Sequence, residues 1–361
     1  MEVNIYHYFM LFGMSFVLVY ALTPFIRMFA YKINFVDQPN ARKVHKKATP
    51  LLGGAAVFIG FFLMVIFASV INYYVKLDRN LIGFLAGAMI IFIIGIVDDR
   101  YGMSPKIKML GQVVCSLVFI YTNYQKPELI TMFGSEYVTI PILLIWMTGL
   151  MNAFNFLDNM DGIISGMAGI IGIGFFAFAL MNPGPTKDVI PFMGIASLIF
   201  SGALFGFLPY NFNPAKMFLG DAGSMFIGYF LASMGIQMAQ LASNALQNKF
   251  YFLLPVLMLS YSIFDISLVS FTRKRDGRHV MQGGKDHSTH RMHTVLGSAK
   301  ITAVFIYIIN LLIIITAMIV FKIRSLPLMI ASTVIFAIAF IIFGNKLDQV
   351  PIVVPENQKK K

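Results

Sequence analysis

The sequence has one cysteine, few charges and few acids, and each shortage excludes something. Cys115 stands alone among 361 residues, which rules out an intramolecular disulfide and a Cys-rich metal site. Charged residues make up 12% of the chain against 58% hydrophobic, at a mean hydropathy of +0.77. No stretch is polar enough to fold as a separate soluble domain, so residues 1–361 read as one domain. There is no internal repeat, which counts against a transporter, whose charges sit near the midplane between repeated halves. No small-residue cleavage site follows a basic start in the first apolar run, which therefore reads as a retained helix and not a signal peptide.

What fills the chain is apolar runs. Eleven are expected to be membrane helices, at 6–30, 51–74, 80–97, 107–122, 137–155, 162–181, 188–209, 219–240, 250–270, 300–321 and 326–344, most of them long enough to cross a hydrocarbon core of roughly 30 Å. The run at 107–122 is short and polar at its start, so ten spans is the alternative. About three quarters of the 28 Lys and Arg residues fall at alternate loops and the tail. Positive loops stay in the cytoplasm, which puts the N-terminus outside and Lys359, Lys360 and Lys361 inside. The expected class is an all-α polytopic protein of the plasma membrane, with loops 31–50, 98–106, 156–161, 210–218 and 271–299 forming a cytoplasmic active face. The net charge of +12 lies mostly beside apolar spans. It points to anionic lipid headgroups and a phosphorylated substrate as partners, and away from nucleic acid; a homodimer is left open.

The scarce acids fall in the loops of that face. Asp98 and Asp99 close the third span. Adjacent carboxylates repel, so they need a cation or a raised pKa, although a solvated helix end is the plain structural alternative. Lys106 and Lys108 place cations beside them where a phosphate could dock, and Lys106 is counted among the substrate-binding residues. Asn152, Asn155, Asp158 and Asp161 recur every three residues, so on a helix or its end they would line one stripe facing a cavity, able to hydrogen-bond a base and ribose. A helix N-cap would explain one of those acids but not all four positions. Asn211 and Phe218 precede Asp221, which sits between glycines at a helix start. As a plain N-cap it would be ordinary, yet Mg²⁺ takes one or two carboxylates plus substrate phosphates, which Asp221 with Asp98 or Asp99 could supply. The ninth loop carries Arg273, Lys274 and Arg275, read as a topology signal. It then carries His287, His290 and Arg291, read as binding phosphate in preference to zinc. Asp265, deep in the ninth span, is expected to orient that loop.

Together these loops resemble the polyprenyl-phosphate N-acetylhexosamine-1-phosphate transferases, the membrane family that also contains phospho-N-acetylmuramoyl-pentapeptide transferase. The resemblance runs from about residue 37 to 295. It rests on Asp37-Gln38-Pro39, Arg42-Lys43, His45, Thr49-Pro50 and Gly53-Gly54, then on Asp98-Asp99, Asn152/Asn155/Asp158/Asp161-Gly162, Asn211 through Ser224, and His287-x-x-His290-Arg291. It implies transfer of a sugar 1-phosphate from a UDP-N-acetylhexosamine to polyprenyl phosphate, with release of UMP and with Mg²⁺ bound, Mn²⁺ being a possible substitute. It implies that Asp221 is the metal ligand, with Asp98 added here as the second. Asp98 and Asp99 serve the acceptor phosphate, and Asn155, Asp158, Asp161, Asn211 and Phe218 surround the uridine, the Phe218 ring being suited to stack on uracil. A lysine of the first basic loop also takes part, and Lys47 is chosen over Lys46. Many members have Gly-Leu where this chain has Asn159-Met160, and often an extra histidine where it has Ser288-Thr289. The single His-x-x-His-Arg resembles the N-acetylglucosamine branch more than the muramoyl-pentapeptide branch. Asp158-x-x-Asp161-Gly162 is also similar to CDP-alcohol phosphatidyltransferases, but their following Ala-Arg and second acidic pair are missing.

Overall fold

A computed structural model describes residues 5–38, 48–71, 75–125, 128, 132–182, 189–280 and 284–352. The long elements are α1 (Ile5–Lys32), α2 (Gly53–Val70), α3 (Arg79–Tyr101), α4 (Pro105–Asn123), α5 (Glu136–Leu157), α6 (Ile163–Met181), α7 (Val189–Asn211) and α8 (Gly220–Ala245). A 3₁₀ turn, Lys249–Phe252, leads to α9 (Leu253–Met258), α10 (Ser260–Arg275), α11 (Ser288–Leu296), α12 (Ala299–Ile323) and α13 (Leu326–Asp348). Hydrocarbon offers no partner for backbone N–H and C=O groups, so apolar runs of this length satisfy them internally as helices. The boundaries are written in short polar residues: Asp78, Ser104, Ser135, Ser298 and Ser325 each accept a backbone N–H at the start of α3, α4, α5, α12 and α13.

The chain is an all-α, multi-pass membrane protein. Among the described residues nine helices are long and apolar enough to span, or ten if α9 and α10, which meet at 73°, make one broken span. The expected ninth span is bent at Leu259, and α4, at the expected fourth span, is less apolar than the others because Lys106, Lys108 and Gln112 lie in it. Among the described residues there is one strand pair, β1 (Val36–Asp37) with β2 (Thr49–Pro50), antiparallel with Val36 opposite Pro50.

The most enclosed helix is α8, 89% of its apolar window being buried, against 11% for the peripheral α13. Membrane helices associate through close packing, which small residues permit. A Cβ on Gly95 would lie 2.2 Å from Ala222 Cα, and one on Gly228 would lie 2.6 Å from Met151 Cα. The backbones of α3 and α5 therefore lie directly against α8, which carries the end of α3 and the end of α5 to the start of α8. Stacked rings fill the space beyond, such as Phe200 on Phe230 at 3.8 Å and Phe58 on Phe92 at 4.1 Å.

Candidate active site

Gly102, at φ 70°, ends α3, and the two acids just before it point in different directions. Asp98 accepts the Met103 N–H at 2.6 Å and pairs with Lys108 Nζ at 2.7 Å. Asp99, about 100° further round the helix, accepts the N–H groups of Asp221 and Ala222 at 2.8 and 3.1 Å. One carboxyl thus faces a cation and its neighbour faces the N–H groups at the positive end of a helix, so the two adjacent acids have different partners. Gly220, at φ 74°, makes room for this, since a Cβ there would sit 2.6 Å from Asp99 Oδ2. Because Asp99 caps α8, Asp221 is not needed as a cap. Its carboxylate turns outward, accepting Lys108 Nζ at 2.6 Å and Asn155 Nδ2 at 2.8 Å. Asn155 also donates to Ser224 Oγ at 2.9 Å and accepts from Lys108 at 3.1 Å. Lys108 therefore sits among oxygens from α3, α5 and α8.

Asn152, Asn155, Asp158 and Asp161 do not form one helical stripe. The helix α5 ends at Leu157, and Asp158 follows it at φ −76° and ψ 49°. Burial pushes the Asp158 carboxyl well above the usual carboxylate range, with Asp221, Asp99 and Asp161 adding to the effect. Asn152 exchanges two hydrogen bonds with Gln112 of α4, at 2.9 and 3.3 Å, and is buried. Asp161 accepts from Asn213 Nδ2 and the Ala215 N–H, both at 2.9 Å. Asn211 accepts from Ser165 Oγ and the Gly162 N–H, and donates to the Met217 carbonyl. Asp161 and Asn211 thus fold the loop that leads to Phe218. The Phe218 backbone bonds to Pro50 and Gly53, and its ring is half-buried. Lys106 is exposed and outside the cluster. Two residues apart on a helix is about 200°, so Lys106 and Lys108 face opposite ways. Lys47 lies outside the described residues.

The ninth loop docks beside this cluster. Thr289 Oγ1 donates to Asn159 Oδ1 at 2.6 Å, and the His287 ring lies edge-on to Phe156 at 6.0 Å. His290 follows one turn later, its ring 6.4 Å from that of His287. Burial, then the charges of His287 and Lys285, lower the His290 pKa to about 4, so it is neutral at physiological pH. Two expectations about this loop fail. Arg291 is buried and donates to the backbone carbonyls of Asp286 and Leu347, both at 2.9 Å, so it ties the loop to the end of α13 and is not directed at a diphosphate. Arg273 is not a dispensable topology signal: it is 2% exposed and makes a two-pronged bond to Asp286 at 2.7 and 2.9 Å. Burial would raise the Asp286 pKa, but the hydrogen bonds and charge of Arg273 hold it at about 2. Breaking a buried pair leaves a charge uncompensated, and Arg278, 2.7 Å from Asp286, offsets part of that loss. Arg273→Gln is therefore expected to cost about 3 kcal/mol, and Lys274→Gln, at an exposed position, less than about 0.5 kcal/mol. Thermal midpoints in detergent check this, and equal midpoints would contradict it.

Comparison with known proteins follows the same motifs. The profile of "Glycosyl transferase family 4" matches residues 81–239, which include Asp98, Asp99, Lys108, Asn155, Asp158 and Asp221. The chain is 30% identical over 353 residues to the probable undecaprenyl-phosphate N-acetylglucosaminyl 1-phosphate transferase of Bacillus subtilis, covering 96% of this chain and 93% of that one. It is 29% identical over 313 residues to the decaprenyl-phosphate N-acetylglucosaminephosphotransferase of Mycobacterium tuberculosis, covering 81% and 77%. It is 28% identical over 277 residues to the phospho-N-acetylmuramoyl-pentapeptide-transferase of Staphylococcus epidermidis, covering 72% and 83%.

Proposed function

Since this chain belongs to glycosyl transferase family 4, the polyprenyl-phosphate N-acetylhexosamine-1-phosphate transferases, we propose that it moves N-acetylglucosamine 1-phosphate from UDP-N-acetylglucosamine to polyprenyl phosphate and releases UMP. The observation that carries this reading is the convergence of Asp98, Asp221 and Asn155 on the Lys108 ammonium, at the ends of helices gathered to one face.

An acceptor phosphate oxygen attacks the β-phosphorus of the donor, the bond from that phosphorus to the bridging oxygen breaks, and UMP leaves with the electron pair. Such a transfer asks the protein mainly for positioning and charge neutralisation. Lys108 supplies a positive charge between the two phosphates. Asp99 holds the start of α8 so that Asp221 faces them. Asn155 orients Asp221, and the half-buried Phe218 ring, which follows the loop held by Asp161 and Asn211, stacks on uracil in this reading.

The donor set suits Mg²⁺. Among the described residues no three His, Cys, Asp or Glu side chains cluster closely enough to hold an ion alone, and Mg²⁺ characteristically takes one or two carboxylates and completes its shell with phosphate oxygens and water. Asp221 and Asp98 are the residues that would hold it, and when bound it would neutralise charge on the transferring phosphates.

The helix α4 runs antiparallel to α3, with Arg79 at the start of α3 donating to the Tyr121 carbonyl near the end of α4. Counted with α4 and with α9–α10 as one, the described helices make eleven passes in this reading, and the basic-loop bias supports a motif face in the cytoplasm, the membrane being the plasma membrane. The purified protein given polyprenyl phosphate, Mg²⁺ and a panel of UDP-sugars is expected to release UMP fastest with UDP-N-acetylglucosamine. Preference for the UDP-muramoyl-pentapeptide would transfer the assignment to that branch, and release of UMP from none would remove it.

A further inference from the structure

We infer that Asp265 is a positioning residue for the transfer, accepting the Nδ1–H of His287 and balancing the charge of a ring that also carries a proton on Nε2, which donates to a phosphate oxygen of the donor. The inference rests on the transferase reading above and adds to it a group from outside the acid cluster.

Asp265 lies on α10 just past the bend and is fully buried. Its Oδ2 is 2.9 Å from His287 Nδ1, and its Oδ1 accepts from the Ser288 N–H at 2.8 Å and from Ser288 Oγ at 2.5 Å. Tyr261 OH, 2.9 Å from Ser288 Oγ, closes the network. An ionised carboxylate only accepts, so a hydrogen bond from Nδ1 requires the proton on that nitrogen. Nε2 then faces away from Asp265, and among the described residues it has no hydrogen-bond partner, although His287 is only 4% exposed. Nε2 is not one of the enclosed unpartnered polar atoms, so it is open to a ligand oxygen.

The ring is also aimed. Phe156 stands edge-on to it, and the Thr289–Asn159 bond fastens α11 to the loop that carries Asp158. The Asp265 carboxylate behind the ring fixes its orientation and leaves Nε2 for an anionic phosphate on its other side. Asp265 faces it from α10, as do Arg273 and Arg278 through Asp286, and Lys285, Asp286 and His290 lie on its own segment. The end of α5 presents the uncharged Phe156, and the loop after it presents Asn159, next to Asp158 in sequence.

A purely structural role for Asp265 would be to cap α11 through the Ser288 N–H, and Asp265→Asn separates the two. The amide oxygen still accepts from Ser288, so the cap survives. The amide N–H₂ now faces Nδ1, which forces the proton onto Nε2 alone and disfavours the imidazolium. Measured as UMP release, Asp265→Asn is expected to lower kcat/KM for the UDP-sugar about 100-fold. In protein that elutes as folded from gel filtration, Asp265→Glu, which keeps the carboxylate, should recover most of that loss, and stands as the measurement if Asp265→Asn does not fold. A wild-type rate in Asp265→Asn, or an equal loss in Asp265→Glu, would overturn the inference while leaving the transferase reading intact. Absence of UMP release from the wild-type protein would instead remove the reading on which it rests.

Discussion

Asp221→Asn is expected to lose about 100-fold or more of turnover while the protein still inserts and folds. Two donors, Lys108 Nζ and Asn155 Nδ2, point at the two oxygens of this carboxylate. An amide can face only one of them with oxygen and meets the other with N–H₂, so the substitution repels one partner as well as removing a charge. An amide oxygen is also a weaker ligand for Mg²⁺ than a carboxylate, and losing one preorganised electrostatic group at a transfer centre costs on the order of 10²–10³ in rate. Folding is spared because α8 takes its cap from Asp99 and not from its own Asp221. The check is UMP release against Mg²⁺ concentration in monodisperse protein. A wild-type rate with wild-type metal dependence would show that Asp221 is not in the reacting centre.

Lys108→Met is expected to reduce turnover by a similar factor, about 100-fold, whereas Lys106→Met should remain within about twofold of wild type, as exposed positions away from the chemistry generally do. The first leaves Asp98, Asp221 and the Asn155 carbonyl without the ammonium at 2.6 to 3.1 Å that now balances them, and it withdraws the positive charge placed between donor and acceptor phosphates. The second removes an exposed charge on the opposite side of α4. Because Met keeps the length and apolar stem of lysine, the comparison isolates charge from packing. Parallel rates and KM values for the two variants test it, and a larger loss from Lys106→Met would mean that α4 presents its other face to the substrate.

The membrane class and the positions of the motifs were legible in the sequence because both are local: an apolar run long enough to span declares itself, and sixteen acids in 361 residues draw notice wherever two fall together. What could not be read was direction. Asp98 and Asp99 are neighbours in sequence but serve Lys108 and the start of α8 respectively, a division that depends on α3 and α8 touching at Gly95. The choice between Lys106 and Lys108 did carry a signal, since Ser104-Pro105 is a strong helix start and puts the two lysines on opposite faces. The regular spacing of Asn152, Asn155, Asp158 and Asp161 misled because it continues past Leu157, where the helix stops. Arg273 read as a topology signal and Arg291 as a phosphate binder, and only their burial shows that they hold the loop together. The bend at Leu259 has no loud marker in an otherwise apolar run, yet it leads into α10, where Asp265 lies behind His287.

The central claim is that a sugar 1-phosphate, and not a bare sugar, crosses to the lipid at the Asp98–Lys108–Asp221 cluster. Tracking phosphorus tests it most directly. The wild-type protein, with Mg²⁺ and polyprenyl phosphate, is given UDP-N-acetylglucosamine labelled with ³²P at the β-position in one sample and at the α-position in another. The account predicts β-label in the organic-phase lipid, α-label in aqueous UMP, and both movements slowed about 100-fold or more in Asp221→Asn. β-Label remaining in water-soluble UDP while sugar enters the lipid, or no movement of either label, would contradict it.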